Sequence, residues 1–214
     1  MRERPILFNG AMVRAILSGA KTQTRRAVKP QPSIDTSGNF CWNGWNFGQD
    51  MAGRPLSETL ALQRPCSRTG RVHCPFGKIG DRLWVRETTE VDRATSDSAE
   101  LARYSSDREP VCYPIGTGNG YDGAWQLWWY SRDTCPSIHM PRKACRLLLE
   151  ITDVRVELLQ AITDADALAE GVDRTNTSIP GYAKERFHQL WTSTGGDWDA
   201  NPWVWVIGFK QVAP

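Results

Sequence analysis

Apolar and polar positions along the chain change period several times, and each change marks a predicted element. Pro5-Ile6-Leu7-Phe8 reads as a short strand. Asn9 then caps a helix over Gly10 to Ser18, with Met12, Val13, Ile16 and Leu17 on one face. Gly19 suits a helix stop, because it tolerates the left-handed conformation. Thr22 to Val28 is extended until Pro30 and Pro32 interrupt it. Arg82 to Arg86 is a strand in which Leu83 and Val85 alternate with Arg82, Trp84 and Arg86. Ala144 to Val156 is the longest strand expected, with a bend or bulge at Asp153. Thr163 caps a short helix that ends near Glu170, and Gly171 stops it. Ala183, Phe187, Leu190 and Trp191 share one face of a helix that follows Pro180-Gly181. Trp203 to Phe209 is apolar on both faces, as a central strand is.

Two stretches break this rhythm. Residues 30–75 are rich in Pro, Gly, Ser, Asn and Trp and show no clean period. Residues 90–142 begin polar and turn aromatic at Trp125, Trp128, Trp129 and Tyr130. Both are expected to be insertions in a single domain spanning residues 1–214. Few strands and scattered short helices predict an α+β fold, a compact mixed sheet or small barrel.

Composition narrows the picture only a little. The 214 residues are 40% hydrophobic, enough for a sizeable core, and the net charge is +2. So weak a charge creates no long-range field for a polyanion, and any nucleic-acid contact must use a local patch. No apolar run approaches membrane-spanning length and no signal peptide is evident, so no membrane partner and a cytoplasmic setting with reduced thiols are expected. Cys66, His73, Cys74, Cys135, His139 and Cys145 carry ligand atoms, but no Cys-x2-Cys pair exists, so neither metal nor cofactor is expected. No glycine loop for phosphate and no nucleophile-elbow serine stands out.

The richest chemistry lies in Gly19-Ala20-Lys21-Thr22-Gln23-Thr24-Arg25-Arg26. Lys21 follows a helix end, where a cation is favoured by the dipole. A solvated lysine is the common outcome there. Crowded by Arg25 and Arg26 and partly buried, it instead has a lowered pKa and serves as a base. Strand alternation sets Lys21 and Thr24 on opposite faces unless the chain bends between them. Glu170 sits at a helix C-terminus, the end that disfavours a carboxylate, so helix stability does not account for it. An exposed surface glutamate is the plain alternative to a proton-transfer group. Arg86 and His139 are candidates for a pocket mouth or a phosphate contact, and Trp45 for a base-stacking wall.

Met12 to Arg26 resembles the opening motif of ASCH-domain proteins, above all the long phage and prophage forms. Gly80-Asp81-Arg82-Leu83-Trp84-Val85-Arg86-Glu87 resembles their second motif, and Trp203 to Phe209 their closing strand. The resemblance implies a PUA-like β-barrel with short surrounding helices and a cleft for RNA, a nucleoside or modified nucleic acid. It also implies a bacterial, phage- or prophage-encoded protein. One branch of the family, the small bacterial N4-acetylcytidine amidohydrolases, uses a lysine, a threonine and a later glutamate, which fall on Lys21, Thr24 and Glu170. Thr22, Arg25, Arg26, Arg86, His139 and Trp45 are the expected substrate contacts, with Arg25 or Arg26 steadying an oxyanion. The chain differs from that branch in both insertions and in Arg25, where the branch has an apolar residue. Two alternatives stay open beside amide hydrolysis: a non-catalytic RNA or modified-DNA binding module, and a metal-independent ribonuclease using His139 and Lys21.

Overall fold

The computed structural model describes residues 1–42, 44–46, 74–176 and 178–213, and only the backbone of Phe40 and Trp45. Cys66 and His73 lie outside the described residues. In chain order the elements are β1 (Glu3–Leu7), α1 (Gly10–Leu17), β2 (Gln23–Ala27), β3 (Ser33–Ile34), β4 (Phe40–Trp42), β5 (Trp45–Asn46), β6 (Arg82–Arg86), β7 (Thr89–Asp92), β8 (Leu101–Tyr104), β9 (Thr134–Cys135), β10 (Leu148–Leu158), α2 (Asp164–Ala169), α3 (Tyr182–Ser193) and β11 (Trp203–Val212). The fold is α+β and mostly strand. No sheet closes into a barrel among the described residues. No helix among them is long and apolar enough to cross a membrane.

The chain forms two compact units. The first takes residues 1–18, 82–150 and 211–214. In it β1 runs parallel to β6, from Glu3 beside Arg82 to Leu7 beside Arg86. The first residues of β10 pair antiparallel on the other side of β6, Leu149 beside Leu83. Asn9 caps α1 by accepting from the Met12 N–H at 2.9 Å, as the sequence predicts. In and beside residues 90–142, the second expected insertion, β8, β7 and β9 form a small antiparallel sheet in that order. Ala102, Tyr104, Val111, Met140 and Ala144 build a core there, with Trp84, Trp128 and Trp129 packed on it.

The second unit takes residues 19–81 and 151–210. Its sheet has the order β10, β11, β2. β2 and β11 pair antiparallel, from Ala27 beside Val204 to Gln23 beside Gly208. Val204 to Ile207 are all buried, because β11 is central and both its faces are covered. Val204 and Val206 join Leu159, Ile162, Ala167, Ala183 and Phe187 in the core beneath α2 and α3. β10 runs unbroken through Asp153, whose carboxylate accepts from Arg155 Nη1 at 2.9 Å within the same strand. Gly208 keeps β11 close to β10: a Cβ there would lie 3.2 Å from the Asp153 Cβ. The first expected insertion, residues 30–75, contains the short strands β3, β4 and β5, and Trp42 from it packs on Trp205 with ring centroids 5.5 Å apart.

Candidate functional site

The residues that draw attention in the sequence meet inside the second unit, and the backbone explains how. Gly19 turns the chain at φ +73°, a conformation other residues avoid. The Thr22 N–H donates to the Ala169 carbonyl at 2.8 Å, and the Phe209 N–H donates to the Thr22 carbonyl at 2.8 Å. Lys21 and Glu170 form an isolated antiparallel bridge. Residues 21 and 22 are thereby tied to the end of α2. That end is set by a capping box at its other terminus, where Thr163 and Asp166 satisfy each other's backbone N–H. Gly171 ends the helix at φ +83°.

Lys21 Nζ donates to Glu170 Oε2 and to the Glu170 carbonyl, each at 2.8 Å. The lysine thus caps α2, a helix distant in sequence, where the dipole and an orphan carbonyl favour it. Arg25 Nη1 donates to the other carboxylate oxygen, Glu170 Oε1, at 3.1 Å. The carboxylate is held on both sides by cations. Side-chain exposure is 0% for Lys21, 3% for Glu170 and 1% for Arg25, so the trio is sealed from solvent.

Burial lowers the pKa of Lys21; Glu170 pulls it back up, and the positive charges of Arg26 and Arg25 lower it again. The net direction is down. A lowered pKa favours the neutral amine, the form a general base requires, more than in a free lysine.

From Arg25 the network runs outward. Its Nη2 donates to Glu157 Oε2 at 3.2 Å and lies 3.6 Å from Asp166 Oδ2. Arg155 pairs with Asp153, Glu157 and Asp166, and Gln23 Nε2 donates to Asp166 Oδ1 at 3.2 Å. Burial works against the Asp166 carboxylate, but the Thr163 hydroxyl, Arg25 and Gln23 outweigh it and hold its pKa below the usual range. Phe187 of α3 lies under the Arg25 guanidinium, 5.7 Å from Cζ to ring centroid.

Arg26, beside Trp205 in register, stays close enough for its charge to act on Lys21 and Glu170. The other expected site residues lie elsewhere. Thr24 alternates with Gln23 and Arg25 along β2 and sits beside Ile207 in register. Thr24 is buried there, so the face on which Glu170 meets Arg25 is not the face Thr24 presents. Thr22 is exposed and contributes its backbone. Arg86 and His139 belong to the first unit, where Arg86 Nη2 donates to the Ile138 carbonyl and the exposed His139 stacks on Tyr130 at 5.8 Å. The Trp45 backbone pairs with that of Trp42, and its side chain lies outside what the structure describes.

Comparison with protein families, with curated proteins and with solved structures finds no match. Function must be argued from the site.

Asp153, Arg155, Glu157, Asp166 and Gln23 are the members of the network that the sequence reading missed. One signal was present: Asp153, Arg155 and Glu157 recur every second residue, the mark of one polar face of a strand. Among the described residues no cluster of His, Cys, Asp and Glu has an arrangement fit to hold a metal ion.

Proposed function

We propose that the chain is an ASCH-type, PUA-related amidohydrolase that cleaves an N-acyl group from a modified pyrimidine such as N4-acetylcytidine, with Lys21 and Glu170 as its proton-transfer pair. One observation carries this reading. The lysine and the glutamate that the resemblance selects, 149 positions apart, share a hydrogen bond of 2.8 Å in a buried site. Neutral Lys21 takes a proton from water, whose oxygen adds to the acyl carbon. The C–N bond then breaks, and the proton, passed through Glu170, goes to the departing amine. Water is the better nucleophile in this scheme than Thr24, because Thr24 lies on the other face of β2. The pair is sealed, so substrate reaches it only when the surrounding second unit opens. Incubation of the protein with N4-acetylcytidine should yield cytidine and acetate. Absence of both products at high protein concentration contradicts the reading.

A second reading rests on the first unit. There Arg86 lies over the Trp84 ring at 5.3 Å, and His139 over Tyr130 leaves an exposed aromatic step. Such cation and ring pairs suit unpaired RNA bases, giving a binding module. Its mark is RNA retention that weakens steeply with salt, with no product formed.

A further inference from the structure

We propose that the Arg25 Nε–H is the donor that receives the acyl oxygen of the substrate, which makes Arg25 a catalytic residue in its own right. The proposal rests on the amidohydrolase reading of Lys21 and Glu170. A guanidinium offers five N–H groups in a rigid fork. In Arg25 the two Nη atoms are committed to Glu170, Glu157 and Asp166, at 3.1, 3.2 and 3.6 Å. The Nε is different: it is buried and has no hydrogen-bond acceptor among the described residues. Buried donors are nearly always satisfied, so an orphan on a wholly buried arginine calls for an explanation. Fold stability supplies none, because the ion pairs use the Nη edges and Phe187 covers the face.

The charge around this donor selects what it takes. Three carboxylates already crowd the guanidinium. A phosphate or another full anion would be repelled by them. An acyl oxygen arrives neutral and becomes negative only in the tetrahedral intermediate, so it meets little repulsion on binding and gains the donor when charge develops. As the water oxygen adds to the acyl carbon, the carbonyl π pair moves onto oxygen and is held by Nε–H. On collapse the pair returns, the C–N bond breaks, and the nitrogen takes the proton removed from water. Glu170 accepts from Nη1 of the same guanidinium, so the proton-transfer carboxylate and the oxyanion donor are held by one rigid group.

The test compares wild type with Arg25→Lys, which keeps the charge among the carboxylates but lacks the planar donor edge, and with Arg25→Met. The expected result with N4-acetylcytidine is a fall in kcat of about 100-fold in both variants with KM little changed. An Arg25→Lys kcat close to wild type overturns the assignment of Arg25 and leaves the Lys21–Glu170 reading standing. An inert wild type overturns that reading and this proposal with it. Should both variants fail to fold, the wild-type protein decides: its Arg25 Nε–H resonance in a 15N NMR spectrum should shift saturably as acetamide, a neutral carbonyl like that of the substrate, is added. A resonance that does not move overturns the proposal.

Discussion

Lys21 is a residue whose environment matters more than its type. A buried ion pair is poor evidence of stability, because desolvating both charges cancels most of their attraction. On the proposed function, the trio of Lys21, Glu170 and Arg25 is explained by what a lysine of lowered pKa does rather than by what it holds together. The sign of the effect is testable. Lys21 has a folded pKa below the ordinary lysine range. Between the folded and the unfolded values the native state carries fewer protons, so the stability this group contributes rises with pH and is lost as pH falls through the folded value. Activity follows the same titration, because only the neutral amine is a base. The rising limb of kcat/KM should therefore lie below the pH at which a free lysine loses its proton. The wild-type pH–rate profile checks this, and a rising limb at or above the free-lysine range would contradict it. Lys21 and Glu170 were legible in the sequence because one sat in a dense polar cluster and the other sat against a helix dipole. Arg155, Glu157 and Asp166 were not, since ordinary strand and helix-cap positions give no sign of which carboxylate an arginine will meet in space.

At the level of elements, local rules worked where the signal was local. The Asn9 cap, the Thr163 cap and the stops at Gly19 and Gly171 are where the sequence places them, since caps and left-handed glycines depend on neighbours only. The strands β3, β4 and β5 escaped notice because two or three residues are too few to show a period. The ion pair between Asp153 and Arg155, two residues along the strand, was invisible to propensity. The end of α2 carries Glu170, so the cap of this helix bears on the site. Thr163→Ala should cost about 1 kcal/mol in urea denaturation. It should also raise the midpoint of acid unfolding. Asp166 has a lowered folded pKa, so its contribution is present above the ordinary aspartate range and is lost as pH falls through the folded value. Removing the Thr163 hydroxyl moves that loss to higher pH. An acid midpoint unchanged from wild type would separate the cap from the charge network.

Over the whole molecule, the class α+β was legible from the order of periods, whereas the division into two units was not. Each unit is assembled from segments far apart in sequence, and no composition shift marks where the chain passes from one to the other. The stretch 90–142 has a core of its own because Ala102, Tyr104, Val111 and Met140 converge only after folding. The net charge of +2 and the burial of the Lys21 site together predict a weak response to salt. In a salt series, kcat/KM for an uncharged nucleoside should stay nearly constant. A steep decline would indicate recognition through phosphate instead.

The central claim is that Lys21 and Glu170 act as a proton-transfer pair on an N-acylated pyrimidine. The most direct measurement is acetate release from N4-acetylcytidine by wild type, Lys21→Met and Glu170→Gln, each shown to be folded by circular dichroism. The pair predicts steady release by wild type and loss of activity in both folded variants. No release by wild type, or release undiminished in Lys21→Met, would contradict it.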